Sequence, residues 1–150
     1  MSTMKKLIGI GVIAAVLALA ACSGGTLTVA QYAKWCGDQN DQTQQVITPK
    51  NDTTVGEFRS VLNGMLDNYG GANPPEQMKD FHNAQMRFLR LFLDAADGYD
   101  EQDLLSDARD GMDIDELENV IELLTDEERL MLATLTPSER SELIATGCIG

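Results

Sequence analysis

Residues 74–97 read PPEQMKDFHNAQMRFLRLFLDAAD, and this stretch decides the fold. Its side chains repeat at the three- and four-residue steps that place them on one face of a helix. That face consists of Met78, Phe81, Gln85, Leu89, Phe92, Leu93 and Ala96. Pro74 suits a first helical position, where the missing N–H costs nothing. The spacing therefore predicts a long central helix against which other helices pack.

Shorter stretches on both sides of this helix repeat the same spacing. Possible capping boxes, in which Glu or Gln follows three residues after the capping residue, begin at Thr28, Thr54, Asn73, Thr125 and Thr136. No segment alternates persistently with the period of a strand. The sequence therefore predicts an all-α fold, a compact bundle of five to seven helices. Short helices are expected toward the C-terminus, near Leu104, Leu130 and Leu143.

The start of the chain differs in composition from the rest. Lys5 and Lys6 precede an apolar run over residues 7–20. This run is shorter than the roughly 20 residues that a helix needs to span a bilayer. A basic start, a short apolar run and small residues behind it are typical of a secretory signal peptide.

The apolar run ends in LAAC at positions 19–22, followed by Ser23. This pattern resembles the lipobox of bacterial lipoproteins, and the resemblance covers residues 1–25 only. It implies cleavage before Cys22, diacylglycerol on the Cys22 sulfur and a further acyl chain, such as palmitate, on the new amino group. Ser23 is not the Asp that retains such proteins at an inner membrane, so the outer membrane is favoured where a cell has one. The alternative is an ordinary secretory peptide followed by a chance Cys.

The expected organisation is a cleaved signal peptide at 1–21, a lipidated tether at 22–28 and an acidic helical domain at 29–150. Cleavage would leave nine Lys and Arg against 24 Asp and Glu, a net charge of −15. Residues 94–150 hold seventeen of these acids and three of the bases. This charge excludes nucleic acid as a partner, because phosphate binding needs a positive surface. The expected partners are the membrane, through the lipid, and an unknown envelope protein or ligand.

Two further cysteines, Cys36 and Cys148, remain once Cys22 carries lipid. An even pair in an exported domain predicts a disulfide, because export compartments oxidise thiols. The alternative is a pair of buried thiols.

Residues 107–118, DARDGMDIDELE, resemble an EF-hand calcium loop in part. Arg109 occupies the third ligand position and Met112 the position of the turn glycine, and both oppose calcium binding. The alternative is an acidic helix–loop–helix whose carboxylates lie in a first helical turn, where the helix dipole favours them. The calcium ligands would be Asp107, Asp113, Asp115 and Glu118.

The remaining residues carry no recognisable catalytic pattern. His82 is the only histidine and lies on the apolar face of the central helix, so we expect it to point inward. There is no Gly-rich phosphate loop, and no cysteine is left as a nucleophile if Cys36 and Cys148 pair. We therefore expect no enzyme activity and no cofactor beyond the lipid, but a membrane-anchored extracytoplasmic binding or scaffolding module. A calcium-responsive module and a cell-wall hydrolase are the alternatives.

Overall fold

The computed structural model describes residues 25–47, 52–112 and 115–150, and the described residues contain six α-helices. They are α1 Val29–Ile47, α2 Val55–Gly71, α3 Lys79–Ala96, α4 Leu105–Ala108, α5 Leu117–Thr134 and α6 Pro137–Ala145. Two 3-10 turns, Glu76–Met78 and Arg109–Gly111, follow α2 and α4. In this part of the chain, β structure is limited to one bridge between Thr54 and Leu104. The predicted all-α fold is confirmed.

The central helix is α3, which packs against α2 and against α5. Helix α6 packs on α1, and the short helix α4 contacts α2. Since a short connection makes consecutive helices run antiparallel, α2 and α3 form an up-and-down pair. Among the described helices, none combines the length and the apolarity that crossing a bilayer would demand.

The core consists of two clusters of buried side chains. The first core cluster contains Tyr32, Ala33, Cys36, Met78, Phe81, Met131, Leu135, Leu143, Cys148 and Ile149. The second core cluster contains Val55, Phe58, Leu62, Met65, Tyr69, Leu89, Ala96, Leu105 and Ala108. Trp35, which is half-buried, packs against both clusters and connects them.

Three of the predicted capping boxes form, those that begin at Thr28, Thr54 and Thr136. In each, the threonine hydroxyl accepts from the backbone N–H three residues later, whose Gln or Glu side chain accepts from the threonine N–H. Such caps satisfy N–H groups that no helical carbonyl reaches, and each contributes about 1 kcal/mol.

The helix start that the sequence indicates at Thr125 is wrong. Thr125 lies inside α5, and its hydroxyl donates to the carbonyl of Ile121, one turn earlier. The segment near Leu130 is therefore the second half of an 18-residue helix rather than a short helix of its own. The short helices near Leu104 and Leu143 are present as α4 and α6.

The central helix also begins later than the sequence predicts. The Asn73 side chain donates to the Thr26 hydroxyl at 3.3 Å instead of capping a helix. Its neighbours form the 3-10 turn Glu76–Met78, and α3 itself begins at Lys79. Pro74 precedes another proline, which disfavours the helical conformation, and Pro75 is itself extended with a ψ of 152°, so no helix can start at Asn73.

Arg59 of α2 holds the end of α3. Its Nη2 donates to the carbonyls of Ala96 at 2.6 Å and Tyr99 at 3.0 Å. The Arg59 Nε also lies 3.6 Å from a carboxylate oxygen of Asp97. A cation is favourable here, because the last carbonyls of a helix carry its negative partial charge.

Candidate functional site

A disulfide joins α1 to the segment behind α6. Cys36 and Cys148 are bonded through their sulfurs, with their Cα atoms 4.9 Å apart and 112 positions apart in the sequence. Both residues are buried in the first core cluster. The predicted pairing is confirmed, and the bridge closes a loop that contains most of the domain.

The C-terminal segment is also clamped to α1 by hydrogen bonds. The Asn40 side chain donates from Nδ2 to the carbonyls of Gly147 at 2.9 Å and Cys148 at 2.8 Å. Gly147 has a φ of +75°, a left-handed conformation that glycine adopts without strain. A Cβ on Gly37 would lie 2.0 Å from the carbonyl oxygen of Thr146, so only glycine allows α1 and the end of α6 to approach so closely.

Next to the disulfide, α1, α2 and α3 share a buried chain of polar groups. His82 Nε2 is 2.9 Å from the Tyr69 carbonyl, which can only accept, so Nε2 carries a proton. In the neutral ring Nδ1 is then an acceptor, and Tyr32 Oη lies 3.2 Å from it. Tyr32 Oη is also 3.2 Å from Gln85 Oε1, and Gln85 Nε2 points to Cys36 Sγ at 3.6 Å. This buried polar chain runs from the α2 backbone to the disulfide.

Burial keeps the groups of the buried polar chain uncharged. It lowers the pKa of His82, and the hydrogen bond to the Tyr69 carbonyl opposes only part of that shift. Burial likewise raises the pKa of Tyr32 and of Tyr69, because the charged form of each loses its hydration. His82 is 3% exposed, so the prediction that it points inward is confirmed. Since both ring nitrogens have protein partners, the imidazole is a structural group.

Beside the buried polar chain, a cleft of about 380 Å³ opens between α1, α3, α5 and the C-terminal segment. Asn40, Asp41, Thr43 and Gln44 form its polar wall, whereas Phe88, Leu89 and Leu124 form an apolar wall. Gln85 connects the cleft to the buried polar chain, since it lines the cleft and bonds to Tyr32. Among the described lining residues, the one charged side chain is that of Asp41. The walls therefore suit a neutral or cationic molecule with an apolar part.

The sequence analysis missed the Asn40 clamp and the cleft. One signal was available, because a glycine directly after Cys36, inside a predicted helix, indicates a close approach of another backbone. No comparable signal exists for the cleft, whose walls come from helices distant in sequence.

The described candidate calcium residues are spread over α4, the segment before α5 and α5 itself. Asp107 lies on α4, Asp115 just before α5 and Glu118 in the first turn of α5, whereas Asp113 lies outside the described residues. Arg109 begins the 3-10 turn between them. In residues 25–47, 52–112 and 115–150 no group of three or more His, Cys, Asp or Glu side chains is placed to hold a metal ion. The calcium loop thus rests on its sequence pattern alone.

Cys22 and the predicted signal peptide also lie outside the described residues, so lipidation stays a prediction. Comparisons with protein-family models, with curated proteins and with solved structures found no match for this chain.

Proposed function

We propose that this protein is a bacterial lipoprotein, anchored outside the cytoplasm by lipid on Cys22, that binds or scaffolds a partner in the cell envelope without catalysis. The observation that carries this proposal is the lipobox at 19–22 behind a basic, apolar signal peptide. One acyl chain holds a protein only reversibly, whereas the two or three chains of a lipoprotein hold it stably.

The disulfide between Cys36 and Cys148 supports export. Disulfides persist in oxidising compartments and are rare in the cytosol. A bond that joins α1 to the C-terminal segment can form only after the last residues of the chain have been made, and it persists in an oxidising compartment. Both the signal and the body of the protein are consistent with this location.

The cleft between α1, α3 and α5 is the proposed ligand-binding site. Its volume of about 380 Å³ lies within the range of ordinary small-molecule sites, about 300–1,000 Å³. Asp41 supplies a negative charge at the polar wall, and Phe88 with Leu124 supplies apolar area. The ligand class that fits is a small cationic or neutral amphipathic molecule, because among the described lining residues an anion would meet the Asp41 carboxylate and no cation.

The absence of catalysis in this proposal rests on the chemistry around His82. A general base needs an unprotonated nitrogen within hydrogen-bond reach of the substrate and a pKa near the working pH. The ring of His82 bonds to Tyr69 and Tyr32 on its two sides, and burial lowers its pKa. The neighbouring phenols cannot ionise near neutral pH, because burial raises the pKa of each.

Metabolic labelling tests the lipid anchor. Cells that express the full chain are fed an alkyne fatty acid, and the purified protein is analysed by intact mass. We expect a protein that begins at Cys22, carries label and reaches the membrane fraction, whereas the Cys22→Ala variant stays unlabelled. A mature chain that begins elsewhere, or that carries no acyl group, would refute the anchor.

The cleft is tested with benzylamine and benzoate, which have the same apolar ring and opposite charge. NMR shift changes at residues 40–44 and 85–89 should follow benzylamine and not benzoate. Asp41→Asn should weaken the benzylamine response, whereas Asp126→Asn on exposed α5, away from the cleft, should not. Equal responses to both probes would exclude the proposed charge selection.

A further inference from the structure

The end of the tether is attached to the helical bundle. The backbone N–H of Leu27 donates to the carbonyl of Asn73 at 2.9 Å, and the Asn73 side chain donates to the Thr26 hydroxyl. The Leu27 side chain packs against the first core cluster. Thr28 then caps α1. Residues 26–28 therefore belong to the folded body and do not act as a free linker.

The free length between Cys22 and the body is consequently short. Four peptide links separate Cys22 from Thr26, the first residue of the folded body, and at about 3.5 Å each they span at most about 14 Å. The central helix α3, with 18 residues, is about 27 Å long at 1.5 Å per residue. The allowed distance between Cys22 and the body is thus about half the length of α3, so the lipid lies nearer to the attached end of the bundle than to the other end.

We call the attached end the proximal end and define it by residues 26–34, 68–80 and 129–142. Met78, Met131 and Leu135 belong to the first core cluster, against which Leu27 packs. The distal end consists of residues 52–59, 94–112 and 115–118. Val55, Ala96 and Leu105 belong to the second core cluster, and the Val55 N–H donates to the Asp103 carbonyl there.

The two ends differ in charge. The proximal end carries four acids and four bases; with Asp126, which pairs with Arg129, and the adjacent Glu127 and Glu128 it carries seven acids and four bases, a net charge of −3. The distal end carries twelve acids and two bases, a net charge of −10. An anionic leaflet attracts cations and repels anions over roughly one Debye length, about 8 Å at physiological salt. The proximal end therefore approaches such a surface at a much smaller electrostatic cost than the distal end.

We propose that the protein stands end-on on the bilayer, with the proximal end against the lipid headgroups and the acidic distal end pointing away from them. This inference rests on the proposed acylation of Cys22. The surface that meets the lipid is the one around Asn73 and the Glu76–Met78 turn. The distal end is therefore the part of the protein that a partner in the envelope meets first.

The experiment compares two exposed glutamines, Gln77 at the proximal end and Gln102 at the distal end. Each is replaced in turn by a genetically encoded fluorescent amino acid, which leaves the cysteines untouched. The full-length protein is purified from membranes, checked by intact mass and placed in vesicles of phosphatidylcholine and phosphatidylglycerol with headgroup nitroxides. We expect at least threefold stronger quenching at Gln77 than at Gln102.

A matched variant tests the attachment itself. Asn73→Ala combined with Leu27→Gly removes one tether hydrogen bond and the apolar contact, and it should reduce the difference in quenching between the two positions. An acylated protein in which both positions are quenched equally would overturn the end-on orientation but not the anchor. A mature protein without acyl groups would overturn both.

Discussion

The disulfide is the largest single contribution to stability that the structure allows us to quantify. It closes a loop of about 113 residues, and the chain-entropy relation assigns such a loop about 4.8 kcal/mol at 25 °C. Measured values are commonly 2–4 kcal/mol. For residues 23–150 with the bond reduced, we expect the free energy of unfolding to fall by at least about 2 kcal/mol.

Urea unfolding of that fragment, followed by far-UV circular dichroism, measures the change. With a slope of about 2 kcal/mol per molar urea, the midpoint should fall by about 1–2 M on reduction. The midpoint of the double variant Cys36→Ala with Cys148→Ala should fall further, because this variant also removes two buried sulfurs and the contact of Gln85 with Cys36. Reduction therefore measures the contribution of the cross-link alone to the free energy of unfolding. The double variant measures that contribution together with the loss of packing.

The slope provides an independent check. An open chain exposes more surface when it unfolds, so the slope should be larger for the reduced protein than for the oxidised one. A midpoint that moves by less than about 0.3 M, with an unchanged slope, would contradict the loop-closure reasoning. The unfolded chain would then already keep its two ends close together, so that the bond would remove little conformational entropy.

The further predictions concern four single residues. Gly37→Ala should lower the free energy of unfolding by more than about 1 kcal/mol, because the new Cβ would clash with the Thr146 carbonyl. Gly64→Ala, where nothing lies within 4 Å, should be neutral or stabilising by up to about 1 kcal/mol in the same urea assay. Arg59→Ala should lower the melting temperature through a loss of about 1–3 kcal/mol, since two carbonyls lose their charged donor, and an unchanged melt would refute this. Since burial lowers the pKa of His82 in the folded state, the unfolded chain takes up more protons below its ordinary pKa of about 6.5, and stability should fall between pH 7.5 and 5.5. His82→Gln should remove most of this dependence, because the chain has no other histidine.

The sequence predicted the elements that depend on local spacing. The apolar stripe of residues 78–96 lies in α3 and the turn before it, and three capping boxes form where the pattern indicated them. The predicted helix start at Thr125 is wrong because the spacing of a capping box also occurs inside a continuous helix, where the threonine hydroxyl donates to the carbonyl of Ile121 one turn earlier. The predicted capping role of Asn73 is wrong, since its side chain bonds to Thr26, which is 47 residues away in the sequence.

The site was less accessible to sequence reasoning than the fold. The apolar spacing predicts that His82 and Gln85 face the core, but it does not predict that the Tyr32 hydroxyl of another helix lies 3.2 Å from an acceptor atom of each. The disulfide could be predicted because cysteines pair with few alternatives. The cleft could not, since its walls combine residues from α1, α3, α5 and the C-terminal segment.

The position of Trp35 gives the protein an intrinsic reporter. It is the only tryptophan, and its ring centroid lies 4.8 Å from that of Tyr69 and 5.5 Å from those of Tyr32 and His82. Because its side chain packs on both core clusters, separation of either cluster changes the surroundings of the same indole. Tryptophan emission followed through unfolding therefore reports on both core clusters at once, without any added label.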